Sequence, residues 1–228
     1  MYDSYIEQEL TLLIEHPVEH PVEHPTSIGD LVTSQERMLE AAIEVVEERG
    51  EAGVRVDEIA SLAKVAKPSL YHFFGSRDGL IAAAQAERYR KSLNIGLDEV
   101  LQRVIACSSA DEFAELVRAW ITTFSADDAR HRRSVRLEVL GSSVSRPELR
   151  VAVENADKLS NDQLAELGKI AKSRGWALQS PDLDPYDVAA WLHGLWNGRY
   201  LAEITEDPER VAAWDQVTMT AVLRLLFG

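Results

Sequence analysis

The stretch KVAKPSLYHFFGSRDGL, Lys64 to Leu80, holds the side chains with the clearest chemistry. Three cations and no acid lie between Ser61 and Arg77, in a chain whose formal net charge is -14. On a helix of about 3.6 residues per turn, residues 67–74 divide into two faces. Leu70, Phe73 and Phe74 fall on one side and are expected in a core. Pro68, Ser69, Tyr71 and His72 point away, with Lys67 beside them. Hydroxyls, an imidazole and a cation on one short helix suit a DNA major groove, which admits a single helix. Lys64 and Arg77 sit in the flanking turns, where cations can meet phosphates, and the amides opening a helix capped by Ser76 add an anion site. Two short helices joined by a tight turn and braced by a longer first helix make a helix-turn-helix. The alternative is a small three-helix core with a solvated polar face.

Other stretches carry weaker chemistry. HPVEHPVEHP, residues 16–25, offers three His and two Glu. Ligands spaced by four on an extended chain do not converge, and proline at every fourth position forbids a continuing helix, so residues 16–30 read as an extended linker and no metal is expected. RHRRSVR, residues 130–136, could pair with an anionic ligand or with DNA, but such a run is more often a solvated helix face. Trp120, Phe124, Trp191, His193, Trp196 and Tyr200 are candidates to line a small-molecule pocket, although aromatic residues at helical spacing equally form cores and interfaces. Cys107, the single cysteine, reads as a small buried hydrophobe in a reducing compartment. No acid–base pair or nucleophile triad stands out, and Glu138, His193 and Asp187 do not assemble into a site, so neither catalytic residues nor a cofactor are expected.

The elements that must position these residues are almost all helical by periodicity. Ser34 is expected to cap a helix running to residue 50, with Met38, Ala42, Val45 and Val46 as its apolar stripe. A second helix over 56–63 would bury Ile59, Leu62 and Ala63, a third spans 67–74, and Gly75 ends it. Ser76 then caps a fourth, long helix with Asp78 in its first turn. Further helices are expected at 111–125, 128–142, 147–174, 185–204 and 208–227. A short amphipathic segment places Ile6, Leu10, Leu13 and Ile14 on one face. The opening MYDSYIEQEL has no cation ahead of its apolar residues and does not read as a secretory signal. No apolar run approaches the roughly 18 residues of a membrane span. Six acids and no Lys or Arg lie in residues 1–29, so the net charge does not describe the field at residues 61–77 and does not exclude nucleic acid.

Residues 36–80, ERMLEAAIEVVEERGEAGVRVDEIASLAKVAKPSLYHFFGSRDGL, resemble the N-terminal DNA-binding domain of TetR-family transcriptional regulators. LEAA then ERG, VDEIA, LYHFF and GSRDGL occur in that family's order and spacing. The resemblance implies a homodimeric repressor that reads DNA with its third helix and is released by a small molecule held in the C-terminal domain. By position, Lys67, Ser69, Tyr71 and His72 match recognition-helix contacts, and Arg77 matches a phosphate-binding cation. Arg55 stands where the family often has Thr or Ser, losing a hydroxyl cap and adding a cation. Lys64 occupies a turn position usually held by Gly, Ala66 replaces a usual Ser cap, and Pro68 replaces a common Gly.

The expectation is therefore an all-α chain with an acidic extension at 1–32, a helix-turn-helix DNA-binding domain at 33–80 and a ligand-binding and dimerisation domain at 81–228. Dimerisation through 185–204 and 208–227 would give a four-helix interface and a pseudo-palindromic operator in double-stranded DNA, in a cytoplasmic protein with no membrane partner. Two alternatives stand beside it. One is a helical small-molecule-binding or enzymatic protein whose N-terminal domain no longer binds DNA. The other is a regulator driven by a partner protein through the acidic extension.

Overall fold

The structure, a computed structural model, describes residues 28–93, 96–180 and 182–228. The HPVEHPVEHP repeat and the amphipathic segment before it lie outside these residues. The helices are α1 (Ile28–Arg49), α2 (Val56–Leu62), α3 (Lys67–Phe74), α4 (Arg77–Leu93), α5 (Leu97–Ala106), α6 (Ala110–Thr122), α7 (Asp127–Ser143), α8 (Pro147–Ser173), α9 (Pro185–Gly198), α10 (Tyr200–Glu203) and α11 (Pro208–Phe227), with single 3-10 turns at Glu51–Gly53 and Thr123–Ser125. The fold is all-α: the described residues hold no strand. No described helix is long and apolar enough to cross a membrane.

The helix starts follow local chemistry. Ser109 caps α6 by accepting from the Glu112 amide, and the Glu112 carboxylate accepts from the Ser108 amide at 2.8 Å. Asp184 caps α9 and Asp207 caps α11, each followed by a proline in the first turn, where a missing N–H is harmless. The Ser76 hydroxyl accepts from the Gly79 amide at 2.9 Å and so caps α4. Gly79 has no substitute here, because a Cβ would come within 2.0 Å of the Phe74 carbonyl oxygen.

The helices enclose three apolar clusters. Met38 and Val46 of α1, Ile59 of α2, Leu70 of α3 and Leu80 and Ile81 of α4 form the first. Tyr89 and Leu93, farther along α4, pack with Val135 and Val139 of α7 and Leu149 and Val153 of α8. The third joins α5, α6, α8, α9 and α11 around Phe113, Phe124, Leu164, Leu192 and Trp196. Helix α4 thus belongs to two cores, a rigid member shared by the N-terminal helices and the C-terminal bundle.

Several expectations are corrected. Helix α1 begins at Ile28, three positions past Pro25, the last residue that forbids it. The linker expected over 16–30 therefore does not hold for residues 28–30, and Ser34 lies within the helix, its hydroxyl accepting from Arg37 at 3.0 Å. Leu62 is 54% exposed. Ile59, Ala60 and Ala63 already define the inward face of α2, and Leu62 lies about 100° to one side of its centre. Helix α5 was not anticipated, and the 185–204 helix is broken at Arg199 into α9 and α10.

Candidate nucleic-acid interface

Helix α3 is fixed by its back and presents its front. Leu70 has no exposed surface, Phe73 and Phe74 pack half-buried against the first core, and Tyr71 is 46% exposed. Lys67, Pro68 and His72 are exposed and Ser69 is half-buried. The His72 ring meets the edge of Phe73 at 5.2 Å between centroids, so it lies against the core's rim. The C-terminus closes at Gly75, whose φ of 69° is left-handed and whose amide donates to the Tyr71 carbonyl at 2.9 Å. At the N-terminus Ala66 supplies no side-chain cap. Lys67, with no acid near it in sequence, has one in space: Asp57 of α2 lies 2.7 Å from its ammonium.

The turn before α3 is strained. Lys64 has a φ of 56°, in the left-handed region that a glycine would enter freely. The turn is held by Val65 N–H donating to the Ala60 carbonyl at 3.0 Å and by Arg37 of α1, whose Nε donates to the Ala63 carbonyl at 3.0 Å. Arg37 is a positioning residue that sequence reasoning missed, because its partner is a backbone oxygen on another helix. Lys64→Gly is expected to raise stability by about 1 kcal/mol, read as a higher urea midpoint at unchanged m, while removing one cation from the face.

The flanking cations divide into two kinds. Arg55 and Lys64 are exposed, and Arg55 donates only to the carbonyl of Ala52, at 3.0 Å. Arg77 instead turns inward: its Nε donates to the Val54 carbonyl at 2.9 Å and its NH2 to the Glu51 carbonyl at 2.7 Å. These bonds tie the start of α4 to the turn after α1.

Residues 38–84 match the family model described as bacterial regulatory proteins, tetR family. The segment covers the first core, α2, the strained turn, α3 and the Gly75–Ser76 junction. Over these residues the chain is similar to the tetR family. An HTH-type transcriptional regulator BetI from Brucella abortus is 31% identical over 108 residues, covering 42% of this chain and 54% of that protein. The chain therefore spans about half the length of the curated relatives it matches. Among solved structures, the regulatory protein TetR from Rhodobacter sphaeroides has a TM-score of 0.53 at 22% identity, covering 82% of this chain and 97% of that one. A transcriptional regulator from Saccharomonospora viridis in complex with choline has a TM-score of 0.56 at 20% identity, covering 85% and 96%. The last two establish the fold alone.

The C-terminal bundle brings together four of the six aromatic and imidazole candidates. Phe124 and Trp196 stack at 4.1 Å between centroids, Trp120 meets both edge-on, and His193 lies 5.7 Å from Trp196. Trp191 is 43% exposed and lies on the outer side of α9 beside Leu225, and Tyr200 is half-buried at the start of α10. The indole N–H groups of Trp120 and Trp196 and the side-chain carbonyls of Asn161 and Asn197 are buried without hydrogen-bond partners.

RHRRSVR, expected as a solvated face, is instead buried at two positions. Arg133 has no exposed surface and Arg136 has 2%. Arg133 pairs with Glu203 and donates to the Phe124 carbonyl at 2.8 Å. Glu203 also pairs with Arg199, which holds Asp215 at 2.6 Å. Burial drives the His193 imidazole down to about 4, with Arg136 adding to the shift, so it is neutral at pH 7; its Nε2 lies 3.2 Å from the Ser160 hydroxyl.

Proposed function

We propose that this protein is a DNA-binding transcriptional regulator: a homodimer that represses from a pseudo-palindromic operator and is released by a small molecule. It would act in the cytoplasm as a binding protein and not as an enzyme. The observation that carries the reading is the two-faced α3. Leu70 is locked in the core, while Lys67, Ser69, Tyr71 and His72 front a segment matching the family. Base readout falls to Tyr71 and His72, and phosphate contact to Arg55, Lys64, Lys67 and the amides opening α4. Arg77 contributes chiefly by fixing that helix end, since its guanidinium already serves two carbonyls. Pro68 starts the helix without an N–H to offer a phosphate.

Dimerisation through 185–204 and 208–227 is supported by an apolar surface on α10 and α11. Leu201 and Val217 are each 68% exposed and border a groove of about 480 Å³ with Leu195, Trp214 and Thr218. Contiguous apolar surface of this kind marks a protein contact. The related structure from Saccharomonospora viridis holds choline, a cation. Buried arginines and a ring cluster filled by its own Phe124–Trp196 stack oppose a cation in this bundle.

Binding to the chain's own upstream DNA, measured at fixed salt, tests the reading. Tyr71→Ala and His72→Ala are each expected to weaken specific binding by about 1–3 kcal/mol with helicity unchanged. Lys64→Gly should weaken all DNA alike and reduce the salt slope by about one. Full affinity in both α3 variants, with the fold intact, would show that α3 does not read the bases. No salt-dependent binding by the wild type would favour a protein that no longer binds DNA.

A further inference from the structure

A cavity of about 200 Å³ lies between α4, α5 and α8, and none of the six aromatic and imidazole candidates lines it. An apolar cavity of about 150 Å³ accepts benzene, so this one has room for about six to nine non-hydrogen atoms. Its lining is of two kinds. Leu93 of α4 and Leu97 of α5, both buried, and Ala156 and Leu159 of α8 supply apolar surface. Arg90 of α4, Asp98 of α5 and Ser160 and Gln163 of α8 supply polar groups, with opposite charges on two different helices.

Those two charges are not spent on each other. Arg90 is paired with Glu87, to which its Nε and Nη2 donate at 2.7 Å and 2.6 Å, and Lys91 stands 3.9 Å from the same carboxylate. The pairing holds the guanidinium in place and leaves Nη1 unengaged, and the three side chains together keep one net positive charge. The Asp98 carboxylate has no partner among the described residues, and the next residue, Glu99, adds to its charge. The cavity thus has a positive end on α4 and a negative end on α5. Between the two kinds of surface sits the Ser160 hydroxyl, 5% exposed, which meets only His193 Nε2 at 3.2 Å and has capacity for a further hydrogen bond. A simple acid would suit Arg90 and be repelled by Asp98, and a simple amine the reverse. A wholly apolar molecule would take water from both charges and return nothing. A molecule carrying both charges on a short apolar body satisfies the whole lining.

We propose that this cavity binds a small zwitterion, an amino acid with a short aliphatic body, its carboxylate on Arg90 and its ammonium on Asp98. The site deepens the ligand-sensing part of the proposed function by naming the class of ligand, and it rests on that part. Its position gives the ligand a lever. Arg90 lies in the last turn of α4, the helix that belongs to both the first and the second core. A ligand that draws Arg90 and Asp98 together therefore acts on the helix whose other end carries Arg77.

Isothermal titration of the full chain without DNA tests the proposal, so its failure and the failure of the DNA-binding reading are separate results. The probes are L-alanine, L-valine, L-leucine and γ-aminobutyrate at constant ionic strength. Each is set beside the amine that lacks its carboxylate and the acid that lacks its ammonium. At least one zwitterion is expected to bind about ten-fold or more tightly than both of its analogues, the loss that accompanies a missing hydrogen bond to a charged group. Arg90→Gln and Asp98→Asn should each remove that preference. Both side chains are exposed, so both variants are expected to keep the wild-type melting temperature within a few degrees and to report on binding alone. No zwitterion bound, a zwitterion bound no better than one of its analogues, or a preference that survives in either variant would overturn the assignment.

Discussion

Glu203→Ala is expected to lower stability by about 3–5 kcal/mol, the usual loss when one member of a buried ion pair is removed. Glu203 is 6% exposed and sits between Arg133 and Arg199, both themselves buried. Its loss leaves Arg133 with the Phe124 carbonyl alone, which accepts a hydrogen bond but carries no full charge. Arg199 would still hold Asp215 and lose less. The asymmetry makes a second expectation. Arg133→Met combined with Glu203→Leu should recover most of the stability, because replacing a buried pair with apolar groups of similar volume is often neutral. Urea unfolding of the two single variants and the double variant measures this, and a double variant as unstable as the sum of the singles would sink the account. The network joins α7 to α10 and, through Arg199 and Asp215, to α11, and Ala202 and Trp214, the chain neighbours of Glu203 and Asp215, line the apolar groove. Glu203→Ala is therefore also expected to weaken self-association, read by sedimentation at a temperature where the chain remains folded.

The difference between readable and unreadable features follows from where each signal is stored. Helices α3 and α11 match their expected spans because their information is local: proline in the first turn, and for α3 a glycine at its end, around a periodic apolar stripe. The inward Leu70 and outward Tyr71 follow from the same periodicity. Helix α5 had comparable local signals, Gly96 before it, Asp98 and Glu99 in its first turn and Val104 on its buried side. The buried arginines were not legible. Arg133 meets Glu203 across 70 positions, and a run of cations reads as a solvated face unless that distant partner is known. Arg77 is intermediate. Its type and position mark a cation beside DNA, but its guanidinium donates to carbonyls 23 and 26 positions away, and carbonyls have no signature in sequence. Lys67 likewise gains Asp57 only once α2 and α3 are packed together.

Glu51 carries the second large effect, and it concerns how the two ends of the chain communicate. Its carboxylate accepts from Arg146 at 2.7 Å, from Ser142 at 2.7 Å and from Gln85 at 2.6 Å, and Arg146 adds a second contact at 2.6 Å. Its backbone carbonyl accepts from Arg77 at 2.7 Å. Glu51, in the turn after α1, thus ties together α7, the start of α8, the middle of α4 and the start of α4. Glu51→Gln keeps the shape and removes the charge, so it should lower stability by about 1–3 kcal/mol at pH 7. The Arg146 guanidinium, with Gln85 and Ser142 adding to it, holds the Glu51 carboxyl down to about 2 from an ordinary value of 4.5. As pH falls the unfolded chain takes up this proton first, so the contribution is complete above about 4.5 and disappears on the way to about 2. His193, also depressed, makes its own contribution between 6.5 and about 4 in both proteins. The difference between wild type and Glu51→Gln should therefore be flat above pH 4.5 and shrink only below it. A difference that shrinks instead between pH 6 and 5 would assign the effect elsewhere. Paired with Arg146→Gln in a double-mutant cycle, Glu51→Gln should show a coupling of about 1–2 kcal/mol, and additive losses would break the proposed tie. If that tie carries the signal, a ligand in the C-terminal bundle should still bind Glu51→Gln but change its DNA affinity much less than in the wild type. A ligand effect on DNA as large as in the wild type would place the transmission outside this carboxylate.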